Sequence, residues 1–206
     1  MSNYSTENLR TLALVGHGSC GKTSLIEAML YRAGMIPELG SVERGSTMCD
    51  NDALEKEVGH SIRLAVAHID TAMADLIPVR IHVLDTPGYP DYLGQDLSAL
   101  DAVKSVCAVI DPTRGPELLT RRMMDAAQER GLCRMIVINK FDLPDADLEK
   151  CLRELRETWG PGVLPINLPT RNRTHVIDCF DREDGDSDIM TVEEVHRAFI
   201  ERVVEE

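Results

Sequence analysis

A chain of 206 residues with 43% hydrophobic content can bury a full core, and one large α/β domain is the expectation. Its 22 basic residues against 35 acidic ones leave a formal charge of −13, which argues against a broad nucleic-acid surface on this chain. No stretch approaches the roughly 18 to 20 uninterrupted apolar residues of a membrane span, so no membrane partner is expected.

In chain order, Thr11-Leu12-Ala13-Leu14-Val15 is an apolar, partly β-branched run that reads as a buried strand. It runs into Gly16-His17-Gly18-Ser19-Cys20-Gly21-Lys22-Thr23, which matches the phosphate-cradling pattern G-x-x-x-x-G-K-[ST] at every fixed position. Ser24 to Leu30 then repeats apolar residues at helical spacing, and a helix is predicted over 22–33. Such a loop wraps a phosphate with inward N–H groups, and the helix start adds partial positive charge there. Lys22 would reach the β and γ phosphates and the Thr23 hydroxyl would hold Mg²⁺. Gly16, Gly18 and Gly21 also spell G-x-G-x-x-G, so a nicotinamide or flavin dehydrogenase is the rival for this stretch alone. That rival needs an acid ending the second strand, whereas Glu38 lies in Pro37-Glu38-Leu39-Gly40, a loop sequence.

A polar segment over 37–60 precedes strands predicted over 62–70 and 79–85, paired across Ala72 to Pro78. The second delivers Asp85-Thr86-Pro87-Gly88 at its C-terminal end, where ligands bind in open parallel sheets. A carboxylate there can hold Mg²⁺ through water, and the Gly88 N–H can touch a γ-phosphate that exists only before hydrolysis. Helix 93–102, strand 104–110 and helix 116–130 follow. Cys133 to Ile138 is another buried-strand run, ending in Asn139-Lys140-Phe141-Asp142. An Asp carboxylate accepts two hydrogen bonds from the N1–H and 2-amino group of guanine, an edge adenine lacks. Asn139 would brace that pocket, and the stem of Lys140 would lie on the base. Helix 145–158 and strand 163–167 complete an alternation that implies a doubly wound, mostly parallel sheet with one antiparallel edge pair and helices on both faces. Asp181 to Asp188 reads as a solvated acidic loop, and Thr191 to Val204 as an amphipathic helix opened by T-x-x-E.

Together these residues resemble the GTP-binding domain of translational GTPases, most closely that of elongation factor G and its paralogues. Leu39 to Thr47 and Glu55 to Ile62 are similar to that family's first switch region, and Pro165 to Pro169 with Thr174 to Asp178 resembles the start of the insert that marks elongation factor G. The resemblance implies a nucleotide-binding domain over 1–162 and the beginning of an insert subdomain over 163–206. It implies GTP and GDP as ligands, bound by Gly16, His17, Gly18, Ser19, Cys20, Gly21, Lys22, Thr23, Ser24, Asn139, Lys140 and Asp142. Mg²⁺ would be held by Thr23, Ser61 and Asp85, and catalysis would involve Lys22, Gly88 and residue 89. The ribosome is the implied partner, through a longer protein, and a monomer is expected.

Four positions depart from the family pattern. Ser61 stands for the switch threonine, Val58 for an arginine, and Ser19 for an aspartate in the phosphate loop. Tyr89 stands for the histidine that positions the attacking water. A phenol can orient water but lacks the imidazole's acid/base range, so hydrolysis in isolation is expected to be slow. A GTP-dependent binding switch that barely hydrolyses is the alternative. The family's Ser-Ala guanine-sensing loop has no counterpart, so the chain is expected to be the N-terminal part of a longer factor with weakened guanine affinity.

The six cysteines form no C-x-x-C pair and read as small buried hydrophobes in a reducing cytoplasm. Met1 to Thr6 carries neither a basic nor an apolar signal region, so export is not expected. The six histidines lack paired zinc-ligand spacing. Arg121-Arg122 and Arg171-Asn172-Arg173 are the compact basic clusters, read as solvated arginines.

Overall fold

The computed structural model describes residues 4–50, 52–72 and 77–205. The chain forms two compact units, the first running to Ile110 and including Glu117–Asn139, the second formed by Asp111–Pro116 with Lys140–Glu206.

In the first unit five strands, β1 (Leu9–Val15), β2 (Ala65–Ala72), β3 (Pro78–Asp85), β4 (Ser105–Ile110) and β5 (Cys133–Ile138), form one sheet in the order β2-β3-β1-β4-β5. All neighbours are parallel except β2 and β3, so the predicted mixed sheet is present. Period-2 alternation explains which residues face where. Leu14, Val83, Cys107 and Val109 pack with Ile26 and Leu30 of α1 (Lys22–Arg32) in one buried cluster. The alternate residues Ala13, Val15, Leu84, Val106 and Ala108 are equally buried. Helices α3 (Leu93–Asp101) and α4 (Leu118–Glu129) pack against β1 and β4. Parallel register, Leu14 beside both Asp85 and Cys107, sets the ends of β1, β3 and β4 at one edge of the sheet.

Some local expectations change. The polar 37–60 segment contains a short helix α2 (Ala53–Val58), begun by a capping box in which Asp52 accepts from the Leu54 N–H and Glu55 accepts from the Asp52 N–H. Residues 73–76 of the predicted β2–β3 connection lie outside the described residues. Strand β5 is present as predicted but is not a buried run: it occupies the sheet edge, where Cys133, Arg134 and Met135 are exposed.

The second unit contains α5 (Leu148–Trp159), a two-stranded antiparallel ribbon of β6 (Asn167–Pro169) and β7 (Val176–Asp178), and α6 (Val192–Glu205). Asp147 caps α5 by accepting from the Lys150 N–H at 2.9 Å. Leu168, Ile177, Cys179, Val192 and Val195 make a small core between ribbon and helix. The strand predicted over 163–167 does not form there. Pro165 brings no N–H to a ladder, and pairing begins only at Asn167. Arg173 is not a solvated arginine either: its Nη1 donates to the carbonyls of Ala146, Phe141 and Leu143 at 2.9, 3.3 and 3.4 Å.

Candidate functional site

The loop between β1 and α1 turns at the sheet edge through left-handed conformations at Ser19 and Gly21, whose φ values are 64° and 96°. Lys22, only 5% exposed, folds back so that its ammonium donates to the carbonyls of Gly16 and His17, both at 3.0 Å. Two neighbouring strand ends brace this loop. Thr86 donates its hydroxyl to the Leu14 carbonyl at 2.9 Å, and the Asn139 side-chain amide donates to the Cys20 carbonyl at 2.9 Å. Gly88 adopts φ 80°, and a Cβ there would collide with the Lys22 ammonium and the Gly16 carbonyl oxygen. Only glycine lets the end of β3 approach the loop this closely.

The acidic centre beneath the loop is built wholly from oxygen. Thr23 donates its hydroxyl to Asp85 Oδ2 at 2.6 Å and lies 3.1 Å from the Ser61 hydroxyl. Ser61 in turn donates to Asp50 Oδ1 at 2.7 Å. Asp85 is fully buried, and burial pushes its carboxyl up to about 6, against the Thr23 hydrogen bond and the Lys22 charge that hold it down. Its other oxygen, Oδ1, is buried with no hydrogen-bond partner among the described residues. Two hydroxyls and an under-satisfied carboxylate suit a small, hard divalent cation such as Mg²⁺.

The segment carrying Ser61 is anchored by two buried carboxylates. Glu27 on α1 accepts from the N–H groups of Gly40 and Met48 at 3.2 and 2.9 Å. Glu55 accepts from Ile62 and Arg63 at 2.9 and 3.0 Å. Tyr89 lays its ring over Gly18 and against His60, ring centroids 4.5 Å apart.

Of the residues singled out from sequence, Gly16 to Ser24, Ser61, Asp85, Gly88, Tyr89 and Asn139 all belong to the first unit, and the contacts above join Ser61, Asp85, Gly88, Tyr89 and Asn139 to the phosphate-loop stretch. Lys140 and Asp142 belong to the second unit. There Lys140, at φ 55°, donates to Asp111 Oδ2 at 3.1 Å, and Asp142 is exposed. Sequence reasoning misses Asp50, His60 and Asp96 at this site. Asp96 sits buried on α3 with its carboxyl raised by desolvation, against the pull of the Lys22 charge. An acid at the helical spacing of Ala99 and Leu100 is the signal available for it.

The sequence profile of the family "Elongation factor Tu GTP binding domain" matches residues 7–204. The chain belongs to this family. Among curated proteins, this GTP-binding domain is 34% identical over 175 residues to the mitochondrial ribosome-releasing factor 2 of Drosophila melanogaster, covering 85% of this chain and 23% of that protein. It is 31% identical over 209 residues to an elongation factor G-like protein of Mycobacterium tuberculosis, covering 96% of this chain and 29% of that one. The chain thus spans about a quarter of the length of the curated relatives it matches. The crystal structure of a Thermus thermophilus protein superposes with a TM-score of 0.77 at 33% identity, covering 95% of this chain and 30% of that one. A bacterial selenocysteine-specific elongation factor, EF-Sec, shares the fold, with a TM-score of 0.57 at 17% identity, covering 95% of this chain and 28% of that one. The family model and these relatives place the chain among GTP-binding domains of the elongation factor G-like kind. No helix among the described residues is long and apolar enough to cross a membrane.

Proposed function

We propose that this chain binds GTP and GDP with Mg²⁺, hydrolyses GTP slowly by itself, and works on the ribosome as part of a longer elongation factor G-like protein. The observation that carries the reading is the buried cluster of Lys22, Thr23, Ser61 and Asp85 under a phosphate-loop turn. In it Lys22 exchanges the Gly16 and His17 carbonyls for the β and γ phosphate oxygens, and the N–H groups of Gly16 to Ser24 surround the β phosphate. Thr23, Ser61 and Asp85 hold Mg²⁺, which when bound offsets charge on the β and γ phosphates. The Gly88 N–H meets the γ-phosphate, and Asn139, Lys140 and Asp142 read the base. Residues 1–162 form the nucleotide domain in this reading, and 163–206 begin an insert. Cysteines that are buried as small hydrophobes, all but Cys133, support a reducing compartment, the cytoplasm. The chain acts as a monomer.

Tyr89 in the water-positioning place supports slow hydrolysis, because a phenol supplies orientation without the acid/base range of imidazole. The same residue favours the second reading, a GTP-dependent switch that docks on ribosomes and scarcely turns over. Titration with fluorescent GTP, GDP and ATP, with and without Mg²⁺, followed by single-turnover hydrolysis, tests both. Guanine nucleotides bind, ATP does not, and the intrinsic rate falls below about 10⁻³ s⁻¹, near that of slow unassisted GTPases. Equal binding of ATP would sink the nucleotide reading, and a rapid rate would sink slow hydrolysis. Added ribosomes separate the two readings: hydrolysis rises in the first and stays negligible in the second.

A further inference from the structure

Resting on the reading of this site as one that hydrolyses GTP slowly, we infer that His60, from the Ser61-bearing segment, aligns the attacking water without taking its proton. Three observations place it. The His60 and Tyr89 rings lie 4.5 Å apart between centroids, tilted by 41°. Tyr89 covers the phosphate loop, with its phenol oxygen 2.7 Å from where a Gly18 Cβ would stand, and it directly follows Gly88. His60 directly precedes Ser61, whose hydroxyl is 3.1 Å from Thr23. The imidazole is therefore tied on one side to the residue after the γ-phosphate contact and on the other to the cation-side hydroxyls.

The ring's own hydrogen bond fixes which nitrogen can act. His60 Nδ1 lies 3.3 Å from the Ser61 carbonyl, which only accepts, so Nδ1 carries the hydrogen and the neutral ring presents Nε2 as the acceptor. Nε2 has no hydrogen-bond partner among the described residues. In the reaction the water oxygen bonds to the γ-phosphorus as the bond from phosphorus to the β,γ-bridging oxygen breaks. The water's proton leaves with inorganic phosphate. Nε2 accepts a hydrogen bond from that water, fixes its direction and takes no proton, while the Tyr89 ring is the platform that holds the imidazole over the loop.

Single-turnover hydrolysis, with GTP affinity measured separately, tests this with His60→Phe, Tyr89→His and the double variant. His60→Phe keeps an aromatic ring against Tyr89 and removes the acceptor. It lowers the hydrolysis rate by about tenfold or more while GTP affinity stays within about twofold. Tyr89→His restores the rate in the His60→Phe background, because an imidazole then enters from the other side of the same water. A role in packing alone would move affinity or be satisfied by phenylalanine. His60→Phe at the wild-type rate, or a double variant no faster than His60→Phe, overturns the inference. Wild-type protein that binds no GTP overturns the site reading as well, and is told apart by the affinity measurement.

Discussion

Asp85 shows what a single residue costs and what it supplies. It is fully buried, one of its oxygens lacks a hydrogen-bond partner among the described residues, and burial raises its carboxyl from 3.8 to about 6. The folded protein thus holds that proton more tightly than the unfolded chain does. Its native state is favoured below pH 3.8, and the penalty grows as pH rises from there to about 6 and stays constant above. A shift of about two units corresponds to about 3 kcal/mol at neutral pH. Asp85→Asn keeps the shape, still accepts from Thr23, and removes the buried charge. Thermal melting of nucleotide-free protein at pH 7.5 should therefore rise by several degrees in Asp85→Asn, with the advantage vanishing below about pH 4. Mg²⁺-dependent tightening of GTP binding should vanish in the same variant. A gain that persists at pH 4 would show that burial of the ionised carboxylate is not its origin.

Elements are legible wherever local chemistry leaves one solution. The strand, loop and helix over 9–32 are readable because the fixed glycines, lysine and threonine leave few backbones open, and β3 because its apolar run ends on Asp85-Thr86-Pro87-Gly88. Helix α2 is hidden in a polar stretch, although Asp52 and Glu55 carry the D-x-x-E signature of its start. Asp50 and His60 cannot be found from their own segment, since only tertiary contact brings them to Ser61 and Tyr89. Arg173 misleads for the same reason. Clustered arginines look solvated in sequence, but this one adopts φ 56° and reaches three carbonyls of the loop over 141–146. The β6–β7 turn that carries it thereby fixes the loop that contains Asp142. Arg173→Ala should lower stability by about 1 to 2 kcal/mol, the range for a charged donor lost from part-buried acceptors. Amide exchange should quicken over 141–146, and GDP affinity should fall with it. Unchanged exchange in that loop would separate the turn from it.

At the scale of the molecule, the cysteines report on the two cores. Cys20, Cys49 and Cys107 belong to the cluster under α1, Cys179 to the core of the ribbon and α6, and Cys151 to the buried face of α5. The expectation of small buried hydrophobes holds for these five and fails for Cys133, which the edge strand exposes. Burial opposes the thiolate, pushing Cys107 up to about 12 and Cys151 to about 11, with Cys49 and Cys179 also raised. A reagent that needs an accessible thiolate therefore meets a folded protein in which most thiols are both shielded and protonated. With an aromatic disulfide at pH 8, one thiol should react quickly, and Cys133→Ser should abolish that phase. The remaining five should react only as denaturant opens the cores that hold them, at rates set by opening rather than by reagent. Two or more fast thiols in the native protein would mean that at least one of these cores opens far more readily than its packing implies.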